Sequence, residues 1–136
     1  MDATEVALRA LRHRDRSRRE LEQRLAQAGI PSEERDEALD RLVGSGLVSD
    51  ERFAMGRARV LAERGSGNAL IRTDLRRRGV SADAVEVAIA GLEPEDLRAA
   101  ELYERRGADA KAIRYLAGKG FSQESLTGIT DVYPVD

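Results

Sequence analysis

The chain is predicted to be all-α, a tandem repeat of three three-helix units forming an elongated, curved array. Three observations carry this. A short phrase, a leucine followed four residues later by glycine and then an apolar residue, occurs as Leu25…Gly29-Ile30, Leu75…Gly79-Val80 and Leu116…Gly120-Phe121. The leucines lie 50 and 41 residues apart, in or near the period of repeat arrays. Apolar residues elsewhere recur at helical spacing, with no sustained period-two run to mark a strand. Cap residues and glycines then punctuate that periodicity where helices should begin and end.

The elements follow in order. A first helix over 4–14 puts Ala7, Leu8 and Leu11 on one face. Ser17-Arg18-Arg19-Glu20 has the form of a capping box, in which Ser17 accepts from an orphan amide and Glu20 reaches back. The helix it opens presents Leu21, Leu25 and Ala28, and Gly29 supplies the left-handed turn that ends it. Pro31-Ser32 starts a third helix, with Glu33 and Glu34 at its positive end and Ala38, Leu39, Leu42 and Val43 as its apolar face. Gly44 and Gly46 stop it.

The second unit repeats the plan. Ser49 caps a helix to about Arg64, with Phe53, Arg57, Val60 and Leu61 sharing much of one face. Gly65-Ser66-Gly67-Asn68 is made of turn residues and reads as the most flexible link. Leu70, Ile71 and Leu75 mark the next helix, and Ser81 caps another bearing Val85, Ala88, Ile89 and Leu92. In the third unit, Pro94 suits a first helical turn and Gly107 breaks that helix near Arg106. Ile113 and Leu116 mark a short helix ending at Gly120, and Ser122 caps a last one with Leu126 and Ile129. Gly118 and Gly128 weaken these final helices, which makes the third unit the least stable. The units are expected at 3–48, 49–92 and 93–133.

Composition narrows the function. The chain has 136 residues, 41% hydrophobic and only 4% aromatic, enough for a core built from Leu, Val, Ile and Ala. Cysteine is absent, which excludes disulfides and thiolate metal sites. The opening residues lack the basic segment and apolar run of an export signal, and no apolar stretch nears the ~20 residues that span a bilayer. A cytoplasmic protein without a membrane partner is expected. There is no P-loop, no dinucleotide fingerprint and no nucleophile, base or metal constellation, so the chain reads as a non-enzyme with no metal site. His13, the single histidine, fits a surface or capping role.

The net charge of −2 hides an uneven distribution. Residues 9–24 carry seven arginines against three acids, and residues 52–78 carry eight against two. Two such stretches set up a local positive field on a nearly neutral molecule. Arg16, Arg18 and Arg19 surround the Ser17 cap, where free amides also favour anions. Arg76, Arg77 and Arg78 occupy the turn before Gly79, with Arg72 one turn earlier on the face of Arg76. Guanidinium suits phosphate through its bidentate fork. For any single arginine, balancing a helix end or pairing with a neighbouring carboxylate is the simpler reading. Phe53 and Phe121 read as core, while Tyr103 and Tyr115 stay open.

Taken together, Ser17-Arg18-Arg19-Glu20-Leu21, Gly46-Leu47-Val48-Ser49-Asp50-Glu51-Arg52-Phe53-Ala54 and Ile71-Arg72-Thr73-Asp74-Leu75-Arg76-Arg77-Arg78-Gly79-Val80 resemble the RecX family of regulatory proteins. Ala112-Ile113-Arg114-Tyr115-Leu116 and Lys119-Gly120-Phe121-Ser122 continue the likeness. The resemblance implies a modulator of the RecA recombinase in homologous recombination, DNA repair and the SOS response. It implies an array of three-helix repeats lying in the deep groove of the RecA–DNA filament, generally inhibiting filament growth, ATP hydrolysis, strand exchange and stimulated LexA cleavage. The implied partners are the RecA nucleoprotein filament and DNA in that context, with no cofactor. Arg57, Arg72, Arg76, Arg77 and Arg78 stand in the matching motif regions. With Arg16, Arg18 and Arg19 they are the candidate filament- or DNA-binding residues. An elongated monomer is expected. The alternative is a free-standing, sequence-independent DNA-binding helical module, which predicts steeply salt-dependent binding to naked DNA. A pure protein scaffold is a third possibility.

Overall fold

The computed structural model describes residues 2–132, and all nine of the elements found among them are helices. They are α1 (Ala3–Ala10), α2 (Arg18–Gln27), α3 (Ser32–Gly44), α4 (Asp50–Glu63), α5 (Asn68–Arg77), α6 (Ala82–Ala90), α7 (Glu95–Arg105), α8 (Ala110–Gly118) and α9 (Gln123–Val132). The main helix-to-helix packing stays within consecutive triplets. Each triplet closes on its own core. Ala7, Leu21, Leu25, Leu39 and Val48 are central to the first, Phe53, Ile71, Leu75 and Val85 to the second, and Tyr103, Leu116, Phe121 and Ile129 to the third.

The recurring Leu-x-x-x-Gly-apolar phrase is one backbone motif built three times. After α2, α5 and α8 the glycines Gly29, Gly79 and Gly120 adopt φ of 81°, 87° and 88°. That turn lets the amides of Ile30, Val80 and Phe121 reach back to the carbonyls of Leu25, Leu75 and Leu116 at 3.1, 3.1 and 3.2 Å, closing a Schellman motif. The leucine and the residue after glycine are thereby brought side by side, and all six are buried.

Several local expectations change. Helix α1 ends at Ala10 rather than near residue 14, because Arg16 folds back and its Nε donates to the Ala10 carbonyl at 2.8 Å. Asp2 caps that helix, accepting from the Glu5 amide at 2.8 Å. Leu8, Val43, Val60 and Leu70 have helical spacing with core residues yet are exposed. Helices this short bury only a narrow stripe, and residues at its edge stay outside. The segment 65–68 differs most from its expected flexibility. Gly65, Ser66 and Gly67 are buried, and the Gly67 amide donates to the Lys119 carbonyl at 2.8 Å. It is a joint between triplets. Tyr133, the expected end of the third unit, lies outside the described residues.

Candidate functional site

Two joints connect the triplets, and both use the same device. The N-terminus of the second helix of one triplet meets the glycine end of the second helix of the next: α2 meets α5, and α5 meets α8. Arg18, first residue of α2, donates its amide to Asp50 Oδ1 at 2.9 Å, and Asp50 is first in α4. Asn68, first residue of α5, donates its amide to Glu95 Oε2 at 2.7 Å, and Glu95 is first in α7. An orphan amide of one helix is thus satisfied by a carboxylate that also complements the dipole of another.

The first joint is ionic. Ser17, fully buried, accepts from the Glu20 amide at 3.1 Å and donates its hydroxyl to the Arg78 carbonyl at 2.6 Å. Arg78 Nη1 meets Glu20 Oε2 at 2.5 Å, and its Nε meets Asp74 Oδ1 at 2.9 Å. Arg57 grips the same Asp74 with two bonds of 3.0 Å, and Arg14 stands 3.6 Å from Glu20. The result is an alternating chain, Arg57–Asp74–Arg78–Glu20–Arg14. Burial pushes the Glu20 carboxyl upward, but the Ser17 amide, Arg78 and Arg14 overcome it and hold the pKa below its ordinary value. Burial likewise opposes, and Arg57 and Arg78 reverse, the shift at Asp74, which is also lowered. The Asp74 bonds in turn raise the pKa of Arg57.

Beside this chain opens a groove of about 480 Å³, lined by Arg14, Arg52, Arg57, Arg64 and Arg78 around Phe53, Gly56 and Val60. Asp15 is the one carboxylate in its lining, and Arg52 neutralises it through bonds of 3.0 and 3.2 Å. Arg64 forms no ion pair among the described residues. A concave wall with five guanidinium groups fits an anionic partner.

The second joint has no such ion chain. Burial is the largest influence on Glu95 and pushes its pKa up. Donors from the Ser122 hydroxyl, the Asn68 amide, the Ser125 hydroxyl and the Ser122 amide together bring it below its ordinary value. Arg98 is buried, and its guanidinium donates to the carbonyls of Glu93 at 2.8 Å and Ser66 at 3.0 Å, and to the Asn68 side chain. Burial lowers its pKa, opposed by Glu95 and Glu93. Phe121 lies beneath it, with 6.0 Å from the guanidinium carbon to the ring centroid. Glycines make the close approach possible. A Cβ on Gly67 would lie 2.4 Å from backbone atoms of Gly120 and Phe121, and one on Gly120 would lie 2.7 Å from Leu70.

Of the eight arginines singled out in the sequence, Arg57 and Arg78 meet in the basic groove. Arg16 closes the end of α1. Arg18 pairs with Asp40 at 2.7 Å. The stem of Arg19 covers Gly79, where an added Cβ would lie 2.6 Å away. Arg72 is bidentate to Glu86 at 2.9 and 3.0 Å, Arg76 donates to the Val80 carbonyl at 3.2 Å, and Arg77 is exposed without an ion pair among the described residues. Sequence reasoning missed Arg14, Arg52 and Arg64 as groove residues. Arg64 was within reach, since it follows Arg57 by seven residues and so shares its helical face. The pairing of Arg52 with Asp15, 37 residues apart, had no local signal. Tyr103 turns out to be core, its hydroxyl donating to the Ala108 carbonyl at 2.8 Å, while Tyr115 lies 3.3 Å beneath the Arg106 guanidinium.

Fold and site together define an all-helical tandem-repeat protein with a charged groove at its first joint. Among the described residues no cluster of His, Cys, Asp or Glu is arranged to hold a metal ion, and no helix is long and apolar enough to cross a membrane. Residues 3–42 match the family model for the first three-helix domain of RecX, and residues 49–89 that for the second. The chain belongs to the RecX family of regulatory proteins. It is 37% identical over 129 residues to the regulatory protein RecX of Chromohalobacter salexigens, covering 88% of this chain and 85% of that one. With the RecX of Mycolicibacterium smegmatis it shares 32% identity over 148 residues, covering 96% and 78%. The crystal structure of RecX from Lactobacillus salivarius superposes with a TM-score of 0.83 at 22% identity, over 96% of this chain and 94% of that one, and supports the fold.

Proposed function

We propose that this chain regulates the RecA recombinase as an inhibitor, binding in the groove of the RecA–DNA filament and restraining filament growth, ATP hydrolysis and strand exchange. It acts in this reading as a cytoplasmic monomer of three units, 3–48, 49–92 and 93–133, without catalysis or cofactor. The observation that carries the reading is the arginine-lined groove at the first joint, in a chain of the RecX family. Several weak contacts made by successive units of one chain would add as avidity along a polymer. Arg57 and Arg78 face the filament from the groove, and Arg16, Arg18, Arg19, Arg72, Arg76 and Arg77 contribute a surrounding positive surface that meets DNA phosphates or acidic filament walls.

The test is DNA-dependent ATP hydrolysis by the cognate RecA, with this protein added well below one per recombinase subunit. Strong suppression is expected. Unchanged hydrolysis by a folded protein refutes the reading. The second reading, a free-standing DNA-binding module, is favoured by the same guanidinium groups and predicts binding to naked DNA that falls steeply with salt. The net charge of −2 and the internal pairing of Arg52, Arg57, Arg72 and Arg78 speak for the first reading.

A further inference from the structure

Helix α4 carries a glycine that its own fold does not use. Gly56 stands in the middle of the 14-residue helix Asp50–Glu63, where glycine is the least favourable residue apart from proline. A Cβ built on Gly56 would meet nothing within 4 Å, so neither close packing nor an unusual backbone angle calls for it. This contrasts with Gly67, Gly79 and Gly120, each pressed against a neighbour. Gly56 lies instead in the floor of the basic groove, beside the exposed Val60 and above the buried Phe53. Arg52 and Arg57 flank it along α4, Arg64 caps that helix beyond Val60, and Arg14 and Arg78 form the facing wall.

We propose that this groove is the docking site for an acidic amphipathic helix of a protein partner, which crosses α4 at Gly56. A bare glycine lets a second helix bring its backbone close, and Val60 offers an apolar seat for its seam. The groove's five guanidinium groups are set against only three carboxylates, Asp15, Glu20 and Asp74, and Arg64 is free of any ion pair among the described residues. Carboxylates on the flanks of that helix therefore meet an excess of positive charge, and charge complementarity selects it. A single-stranded nucleic acid is the poorer occupant. Its bases need an aromatic face to stack on, and the groove's one aromatic residue, Phe53, is buried in the core. The inference deepens the RecA reading by naming the chemistry of the surface that the groove receives, and in that setting it rests on that reading.

The experiment uses the full chain and three fluorescent probes, measured by anisotropy. They are a 20-residue helical peptide with a Leu/Ala seam and glutamate flanks, the same peptide with lysine for glutamate, and a 20-nucleotide oligothymidylate. The wild-type protein is expected to bind the acidic helix and not the lysine version. Gly56→Ala should weaken binding about tenfold and Gly56→Leu about a hundredfold, the range expected for overfilling a packed contact. Arg64→Glu should weaken it as well. Gly56→Ala should at the same time raise the unfolding midpoint by roughly 3–5 °C, since alanine improves the helix. This opposition of sign is one that a purely structural glycine would not produce. The inference is overturned if the acidic helix fails to bind the wild-type chain, if Gly56→Leu binds it equally, or if oligothymidylate is preferred and lost in the same variants. Peptide binding without any effect on RecA hydrolysis would instead sink the RecA reading and leave the groove assignment standing.

Discussion

Replacing Gly67 by serine sets local preference against tertiary packing, with opposite signs. Gly67 is the N-cap of α5 and makes no side-chain cap bond. Serine is an excellent N-cap, favoured over glycine by a few tenths of a kcal/mol, and Ser17 fills the equivalent place at α2. Helix physics alone therefore predicts a small gain. At the second joint, however, any Cβ on residue 67 falls 2.4 Å from the Gly120 carbonyl and the Phe121 amide, all backbone atoms. Ordinary contact begins near 3.4 Å, so the two backbones must part by about 1 Å. That separation breaks the bonds from the Gly67 amide to Lys119 and from the Ala69 amide to Gly120, 2.8 and 3.2 Å long. Two such bonds are worth about 1–3 kcal/mol together, and the total with residual crowding is about 2–4 kcal/mol. Urea unfolding measures the loss, and amide hydrogen exchange locates it at residue 67 and Ala69. Gly29→Ala is the control. It suffers only the strain of φ 81° with open space around it, about 1–2 kcal/mol, and leaves exchange at the joint unchanged. A Gly67→Ser protein with wild-type stability and full protection at Ala69 would refute the account of the joint.

The other expectations concern the charged groups. Arg78→Met leaves Glu20 and Asp74 without their shared cation and should destabilise by about 1–3 kcal/mol, whereas Arg77→Met, at an exposed and unpaired site, should stay within about 0.5 kcal/mol in the same urea titration. Glu20 and Asp74 have folded pKa values below their ordinary 4.5 and 3.8. Their contribution is therefore complete above those ordinary values and is lost as pH falls below them through the lower folded values. Glu20→Gln should flatten the acid limb of the stability profile, and an unchanged limb would remove Glu20 from that role. Arg98→Met strips donors from the Ser66 and Glu93 carbonyls at a buried site, which should cost about 2–3 kcal/mol and speed exchange at Asn68 and Ser122. Stability equal to wild type would mean that the second joint does not depend on Arg98.

Much of the fold was readable locally because its determinants act within one turn or one helix. The Ser17 capping box forms as its four residues imply, with both reciprocal bonds present. The repeated leucine and glycine produce the same chain reversal three times, since 6→1 closure depends only on a residue that tolerates positive φ. Where periodicity misled, as at Val43, Val60 and Leu70, the question was how wide a stripe the neighbours would cover, which no single helix encodes. The candidate site was legible only in its ingredients. Arginine density pointed to the stretches that hold Arg57 and Arg78. It did not separate Arg72, already tied to Glu86, from Arg64, which has no such tie.

The helical class, the serine caps and the threefold glycine phrase are local properties of the chain, because they follow from backbone geometry and near-neighbour hydrogen bonding. How the triplets join depends on contacts between distant parts of the chain. Gly65-Ser66-Gly67 has the composition of a pliant loop, yet it is buried because the Lys119 carbonyl accepts from the Gly67 amide and the Gly120 carbonyl from that of Ala69 just beyond it, both far along the chain. Contacts of that kind also set which arginines remain available. A guanidinium's freedom depends on whether a carboxylate such as Asp74, Glu20 or Glu86 is folded against it, and that is a property of distance in space and not along the chain.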